Sequence, residues 1–203
     1  MVDKSFVPQG CGGLEIRMKK DIHVKETLET KSLILRAFTA EDVDAVHSWA
    51  SDPENCRYMA WGPNTKEMTV EFVTQMTTPG KDFAVVLKTT GQVIGSCGIY
   101  PDEEYDTGRE IGWILHKNHW QKGYGSELAG ELIRYGFEDL KLRRIVSHCA
   151  ADNYGSYRVM ERNGMRREAY LKKAFWARVD QEWVDEVDYA ILEEEWFAKK
   201  RFV

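Results

Sequence analysis

Little in this chain suits a metal scaffold or a disulfide framework. Its 203 residues hold four cysteines, Cys11, Cys56, Cys97 and Cys149, and none forms a Cys-x-x-Cys pair. That spacing argues against zinc ribbons and disulfide frameworks, and predicts reduced thiols and a cytoplasmic protein. No run approaches the roughly eighteen apolar residues of a membrane span, and the first residues lack the apolar core of a signal peptide. Charge of one sign is also scarce. The 28 basic residues stand against 33 acidic ones, a net of −5. Without clustered Lys and Arg, nucleic acid is a poor partner, because phosphate backbones reward such clusters. The two familiar nucleotide loops, Gly-x-x-x-x-Gly-Lys-Ser/Thr and Gly-x-Gly-x-x-Gly, are missing, as are internal repeats and low-complexity tracts.

A chain of this length buries roughly 70% of the surface its unfolded form exposes, so one domain can stand without staples. Residues 1–29, with Pro8 and the Gly10-Cys11-Gly12-Gly13 cluster, show little periodicity. They read as a loosely ordered extension ahead of a domain spanning 30–203. Residues 32–36 are an apolar strand. Thr39-Ala-Glu-Asp42 resembles a capping box and opens a helix through Trp49 that Pro53 bounds. A second helix covers 67–76. Residues 82–88 and 93–100 form a hairpin, and after an acidic turn at 102–106 a strand covers 109–115. A helix over 123–140 puts Leu128, Leu132, Ile133 and Phe137 on one face. A buried strand at 145–149 and a helix at 153–163, closed by Gly164, come next. An antiparallel pair at 166–175 and 183–192 ends the series.

The densest signal lies between residues 109 and 129. A strand ends in a polar loop, Gln121-Lys122-Gly123-Tyr124-Gly125-Ser126 follows, and a helix starts at once. Glycines there allow a tight turn and close backbone approach. Unpaired amides at a helix start, with the positive end of its dipole, suit a phosphate or pyrophosphate, and Lys122 adds charge. Strand, loop and helix in this order resemble the acyl-CoA loop of the GNAT superfamily of N-acetyltransferases, Arg/Gln-x-x-Gly-x-Gly/Ala. Trp120 stands where Arg or Gln is usual, and with x-Lys-Gly-Tyr it is similar to the ribosomal-protein N-terminal acetyltransferase branch. The resemblance covers roughly residues 30–195. It implies an α/β GNAT fold, with a mixed, mostly antiparallel sheet of six to seven strands flanked by about four helices.

It also implies acetyl-CoA as co-substrate, no metal, and an amine acceptor. Moving an acetyl group to an amine needs a neutral nitrogen. Neutralising a lysine-like amine at pH 7 costs ~4.6 kcal/mol, and an α-amine only ~1.4 kcal/mol. Glu110, at the head of the strand leading to the cradle, is the candidate base. The alternative is a solvated glutamate paired with Arg109. The resemblance places pantetheine along that strand, with N–H groups near Ile114 or Leu115 polarising the thioester oxygen. It places the pyrophosphate on Gln121, Lys122, Gly123, Tyr124, Gly125 and Ser126.

Asn153-Tyr-Gly-Ser156 matches the family's Asn-x-x-Ser. There Asn153 faces the pantetheine arm and Ser156 donates to the departing sulfur; the alternative is that both only cap a helix. The family's acid tyrosine, four residues before the glycine, is replaced by Met160, which leaves the role to Ser156 or Tyr157. His116 and His119 rank below Glu110 as bases, being simpler as loop residues. Glu168, Asp185 and Asp188 could hold an ammonium group or form salt bridges with Arg166, Arg167 or Lys172. Ala169 and Gln181 replace two glycines of the ribosomal-protein branch. Trp49, Trp61 and Trp113 read as core or pocket wall, and Glu193-Glu-Glu195 as a solvated helix face.

The resulting expectation is direct transfer of acetyl from acetyl-CoA to a protein N-terminal α-amine of ribosomal-protein type. A small amine such as a polyamine, amino acid or antibiotic is the first alternative, and a non-catalytic acyl-CoA-binding module the second. A homodimer is compatible with the resemblance; nucleic-acid and membrane partners are not expected.

Overall fold

The computed structural model describes residues 26–78, 82–101 and 108–200. Most of the expected extension and the acidic turn at 102–106 lie outside them. The chain opens with β1 (Thr27–Glu29) and β2 (Leu33–Arg36), then a 3-10 turn (Ala40–Asp42) running into α1 (Val43–Ala50). Next come α2 (Pro53–Cys56) and α3 (Lys66–Met76), then β3 (Phe83–Leu87), β4 (Val93–Pro101) and β5 (Gly108–Leu115). The second half holds α4 (Tyr124–Arg134), β6 (Arg144–Ala150), α5 (Tyr154–Arg162), β7 (Arg166–Ala177), β8 (Glu182–Leu192) and α6 (Glu193–Lys200). The eight strands form one sheet in the order β1-β2-β3-β4-β5-β6-β8-β7. Every pairing is antiparallel except β5 with β6.

Strand and helix counts exceed the expectation by short elements that carry too few residues for periodicity. β1 pairs with β2 through three residues, so 27–29 belong to the sheet and not to the extension. Pro53 starts α2 rather than closing α1. At the first helical position its missing N–H costs nothing, and Asp52 accepts from the Glu54 amide at 2.9 Å. The helix expected over 123–140 is α4 up to Arg134 and a wider π turn over Tyr135–Asp139. Arg134 holds that turn through Glu131, Glu138 and Asp139.

Each face of the sheet has its own core. On one face α4 and α5 bury Leu128, Leu132, Ile133, Phe137 and Met160 against Ile111, Ile145, Val187 and Ile191. Each such side chain contributes about 1.5–3 kcal/mol of transfer free energy. On the other face α1 and α3 bury Val46, Trp49 and Val73 against Ala84, Val86, Val93 and Ile114. Period-2 alternation in β5 sends Ile111 to the first core and Ile114 to the second, and it puts Glu110 on the α1–α3 side.

Candidate active site

The site begins where the sheet divides. The parallel ladder between β5 and β6 pairs Gly108 with Arg144, Arg109 with Ile145 and Glu110 with Val146, and then stops. β5 nevertheless runs on to Leu115, still paired with β4. Its last residues therefore present a backbone edge to an opening fork. The His116 amide donates to the Ile94 carbonyl at 2.7 Å, so even-numbered residues of β5 turn their polar groups toward β4. Ile114 is one of them, with its carbonyl against Gly95. The two expected N–H donors thus separate: Leu115 has its amide on the fork side, whereas Ile114 is committed to β4.

The carbonyl of Leu115 is taken on that same side. Buried Asn55 of α2 donates Nδ2 to it at 2.9 Å, and the Trp120 indole donates Nε1 at 2.7 Å. Asn55 Oδ1 accepts the Lys117 amide at 2.8 Å, and Lys117 Nζ lies 2.6 Å from Asp52. Trp120 thus stitches the loop to the strand end, in place of the polar contact expected of Arg or Gln. No sequence signal marked Asn55, because its partners are backbone atoms 60 and 62 residues away.

Beyond the fork stands the start of α4. Gln121, Lys122 and Gly123 are exposed, while Tyr124, Gly125 and Ser126 are half-buried. Gly123 has φ +86° with open space around its Cα, the left-handed geometry that favours glycine. Gly125 serves packing as well. A Cβ there would meet Val159 of α5 at 3.2 Å, and Asn163 Nδ2 ties the two helices by donating to the Ser126 carbonyl at 3.1 Å. Glu127 anchors the first turn to the β1–β2 turn by accepting from Thr30 and from the Ser32 amide. The first-turn amides lack intrahelical partners by construction, so they fit an anionic phosphate.

Asn153 caps α5, its Oδ1 accepting the Ser156 amide at 3.2 Å. Both residues stand at the end of β6, across the fork from β5. Met160, at the family's tyrosine position, is 1% exposed and fills the α4–α5 core. Tyr157 stacks flat on Tyr189, centroids 6.5 Å apart. His116 packs on His119, and His119 on Tyr124. Burial first, then Lys122 and His116, push His119 below its ordinary pKa.

On the α1–α3 side, Glu110 belongs to a constellation that sequence reasoning only partly named. Its register neighbours are Tyr100 of β4 and Val146 of β6. The ring of Tyr100 lies over Gly98, where a Cβ would stand 2.4 Å from it, and its hydroxyl bonds to Asp82. Burial and Asp82 push the phenol up, which keeps it protonated. Ser96 also donates to Asp82, at 3.1 Å. His148 Nδ1 lies 3.5 Å from Glu110 Oε1, and His148 pairs in register with Asp188. Glu186 is pushed above the ordinary carboxylate range by burial, with Asp188 and Glu110 adding to the rise against His148.

The other candidate carboxylates have partners. Glu168 is bound by Arg144 and Arg166. Asp185 is held to about 2 by Lys172, the Lys173 amide and Tyr170. Glu195 accepts the Leu192 amide at 2.8 Å and pairs with Arg166, so that run caps α6 rather than only facing solvent. Among the described residues, no group of three or more His, Cys, Asp or Glu could hold a metal ion.

Residues 32–166 match the acetyltransferase (GNAT) domain, and the chain belongs to that family. It is 39% identical, over 83% of its own length and 98% of the relative's, to the uncharacterized N-acetyltransferase YnaD of Bacillus subtilis. A GNAT-family acetyltransferase structure from Bacillus anthracis is also 39% identical, with a TM-score of 0.76 over 83% of this chain and 99% of that one. Two more distant structures share the fold alone. The ribosomal-protein-S5-alanine acetyltransferase of Vibrio fischeri is 17% identical over 85% of this chain and 99% of its own. The spermidine N-acetyltransferase of Vibrio cholerae, solved with CoA and spermine, is 21% identical over 82% and 98%. Both have a TM-score of 0.70, so the fold does not rank a protein acceptor above a polyamine.

The enzyme is therefore an N-acetyltransferase of the GNAT family, and the family implies acetyl-CoA as its co-substrate.

Proposed function

We propose that this transferase acetylates a primary amine presented as a cation to the α1–α3 face of the fork, with a protein N-terminal α-amine of ribosomal-protein type as the first acceptor class. The observation that carries the reading is Glu110 at the last rung before the strands part, beside the backbone edge that ends at Leu115. The sequence similarity to the ribosomal-protein branch and the low cost of neutralising an α-amine favour that acceptor.

Acetyl-CoA, when bound, supplies an acetyl group activated as a thioester. The residues do the rest. Amides of Gly123, Tyr124, Gly125 and Ser126, with Lys122 and Gln121, hold the pyrophosphate. The Leu115 N–H, aimed by the Asn55 and Trp120 bonds to the neighbouring carbonyl, polarises the thioester oxygen. Glu110 removes a proton from the ammonium group, directly or through water. Asn153 holds the start of α5 so that Ser156 can protonate the leaving sulfur.

A small polycationic amine is the second reading. Asp82, Glu110, Glu186 and Asp188 share one face, and such a concentration of carboxylate suits several ammonium groups. The test is release of CoA thiol across a panel of short peptides with free N-termini, polyamines, amino acids and aminoglycosides. Selective turnover of peptides supports the first reading, and selective turnover of polyamines replaces it with the second. Absence of turnover on every amine would sink both.

A further inference from the structure

One imidazole at the fork has no part in the transfer just described. A primary ammonium enters with three N–H bonds and its amide leaves with one, so two protons come off in each turnover. One ends on the CoA thiol and the other must reach water. Glu110 can accept a proton, but it has to be emptied before the next acceptor arrives. His148, on the neighbouring strand β6, puts Nδ1 3.5 Å from Glu110 Oε1. Its side chain is 43% exposed against 33% for Glu110, so the ring faces both the carboxylate and the solvent.

We propose that His148 is the proton exit of this enzyme, carrying the proton that Glu110 takes from the amine out to water. The proposal rests on the amine-acetylating reading above. The nitrogen lone pair forms the bond to the acetyl carbon, the C–S bond breaks, and its electron pair stays on sulfur, which takes one proton. The second proton passes from nitrogen to Glu110, from Glu110 to the neutral ring at Nδ1, and from the imidazolium to water. His148 is a positioning residue in this scheme, because it acts through Glu110.

The groups around the ring come from three strands. Glu110 faces it from β5, Asp188 and Glu186 from β8, and Val146 and Ala150 flank it on β6. Tyr100 and Asp82 stand on the far side of Glu110. Nothing in the local sequence distinguishes His148 from an ordinary exposed strand residue. Only the short parallel ladder between β5 and β6 brings it to Glu110.

The competing role is a clamp that merely orients Glu110, and kinetics separate the two. His148→Gln keeps polar contact without titrating. It is expected to lower kcat roughly 10- to 100-fold while leaving KM for acetyl-CoA within about twofold. Free imidazole in the buffer should restore part of the activity of His148→Ala. Unchanged kcat, or a loss that imidazole does not restore, would overturn the proposal. Thermal melts of both variants check that they fold.

A second measurement needs no turnover. In NMR spectra the ring-nitrogen signals of His148 should move in Glu110→Gln, since the group facing Nδ1 changes. Unmoved ring signals would break the Glu110–His148 link and with it the relay. Wild-type inactivity on every amine would count against the acetyl-transfer reading, whereas these spectra still decide the coupling.

Discussion

At the scale of single residues, the side chains that do chemistry are few and their neighbours set their use. Glu110 has a polar floor in Tyr100 and an imidazole in His148, while Glu168 and Asp185 are engaged by arginine and lysine. A base must be within reach of the proton it takes, and Glu110 stands at the last rung before β5 and β6 part. Glu110→Gln is isosteric and cannot take a proton. It should lower kcat about 100-fold or more while CoA binding, followed by calorimetry, stays within about twofold. Equal loss of binding and turnover would instead mark Glu110 as a structural carboxylate. Sequence reasoning reached Glu110 and Ser156 because they stand at fixed offsets from the glycine loop and the Asn-x-x-Ser turn. His148, Asn55 and Tyr100 were not legible, since their partners lie on other strands or on distant backbone atoms.

Secondary-structure elements bring these residues together, and here the decisive feature is the end of one ladder. β5 and β6 part after Glu110 and Val146, α4 begins beyond the end of β5, and α5 begins beyond the end of β6. Gly123 holds the turn into α4 with φ +86°. Gly123→Ala meets no steric contact but must adopt a left-handed backbone. It should cost about 1 kcal/mol of stability in denaturant titrations and weaken CoA binding as the amides lose their aim.

The entry to α1 offers a second test. Arg36 donates to both oxygens of buried Asp42, at 2.7 and 2.9 Å, and Asp42 accepts the Thr39 amide at 2.8 Å. Burial pushes the Asp42 carboxyl up, but Arg36 and the Thr39 amide outweigh it and hold the group below its ordinary value. A depressed carboxylate stabilises the fold above its unfolded pKa of about 3.9, and that contribution is lost as pH falls through the lower folded value. Asp42→Asn should therefore cost about 2 kcal/mol at pH 7, with the gap to wild type closing in thermal melts as pH falls through the depressed folded value.

Over the whole molecule, charge is distributed by face rather than in excess. The net of −5 is modest, yet Asp82, Glu110, Glu186 and Asp188 converge on the α1–α3 side of the sheet. An acidic mouth should attract a cationic acceptor over a Debye length, which salt shortens from about 14 Å near 0.05 M to about 4 Å near 0.5 M. KM for a polycationic acceptor should rise several-fold over that range, more steeply than KM for a singly charged peptide. Equal salt dependence for both would remove the acidic face from acceptor recognition.

The sequence by itself determined the class of fold, the order of the major strands and helices, the glycine loop and the candidate base. These follow from local rules: apolar periodicity, turn chemistry and a short motif at fixed spacing. Tertiary structure alone decided that the β5–β6 ladder stops at Glu110, that Asn55 and Trp120 occupy the Leu115 carbonyl, and that His148 meets Glu110. Strand register and backbone partners 60 residues away are set by the packing of both cores at once, and no local pattern encodes that.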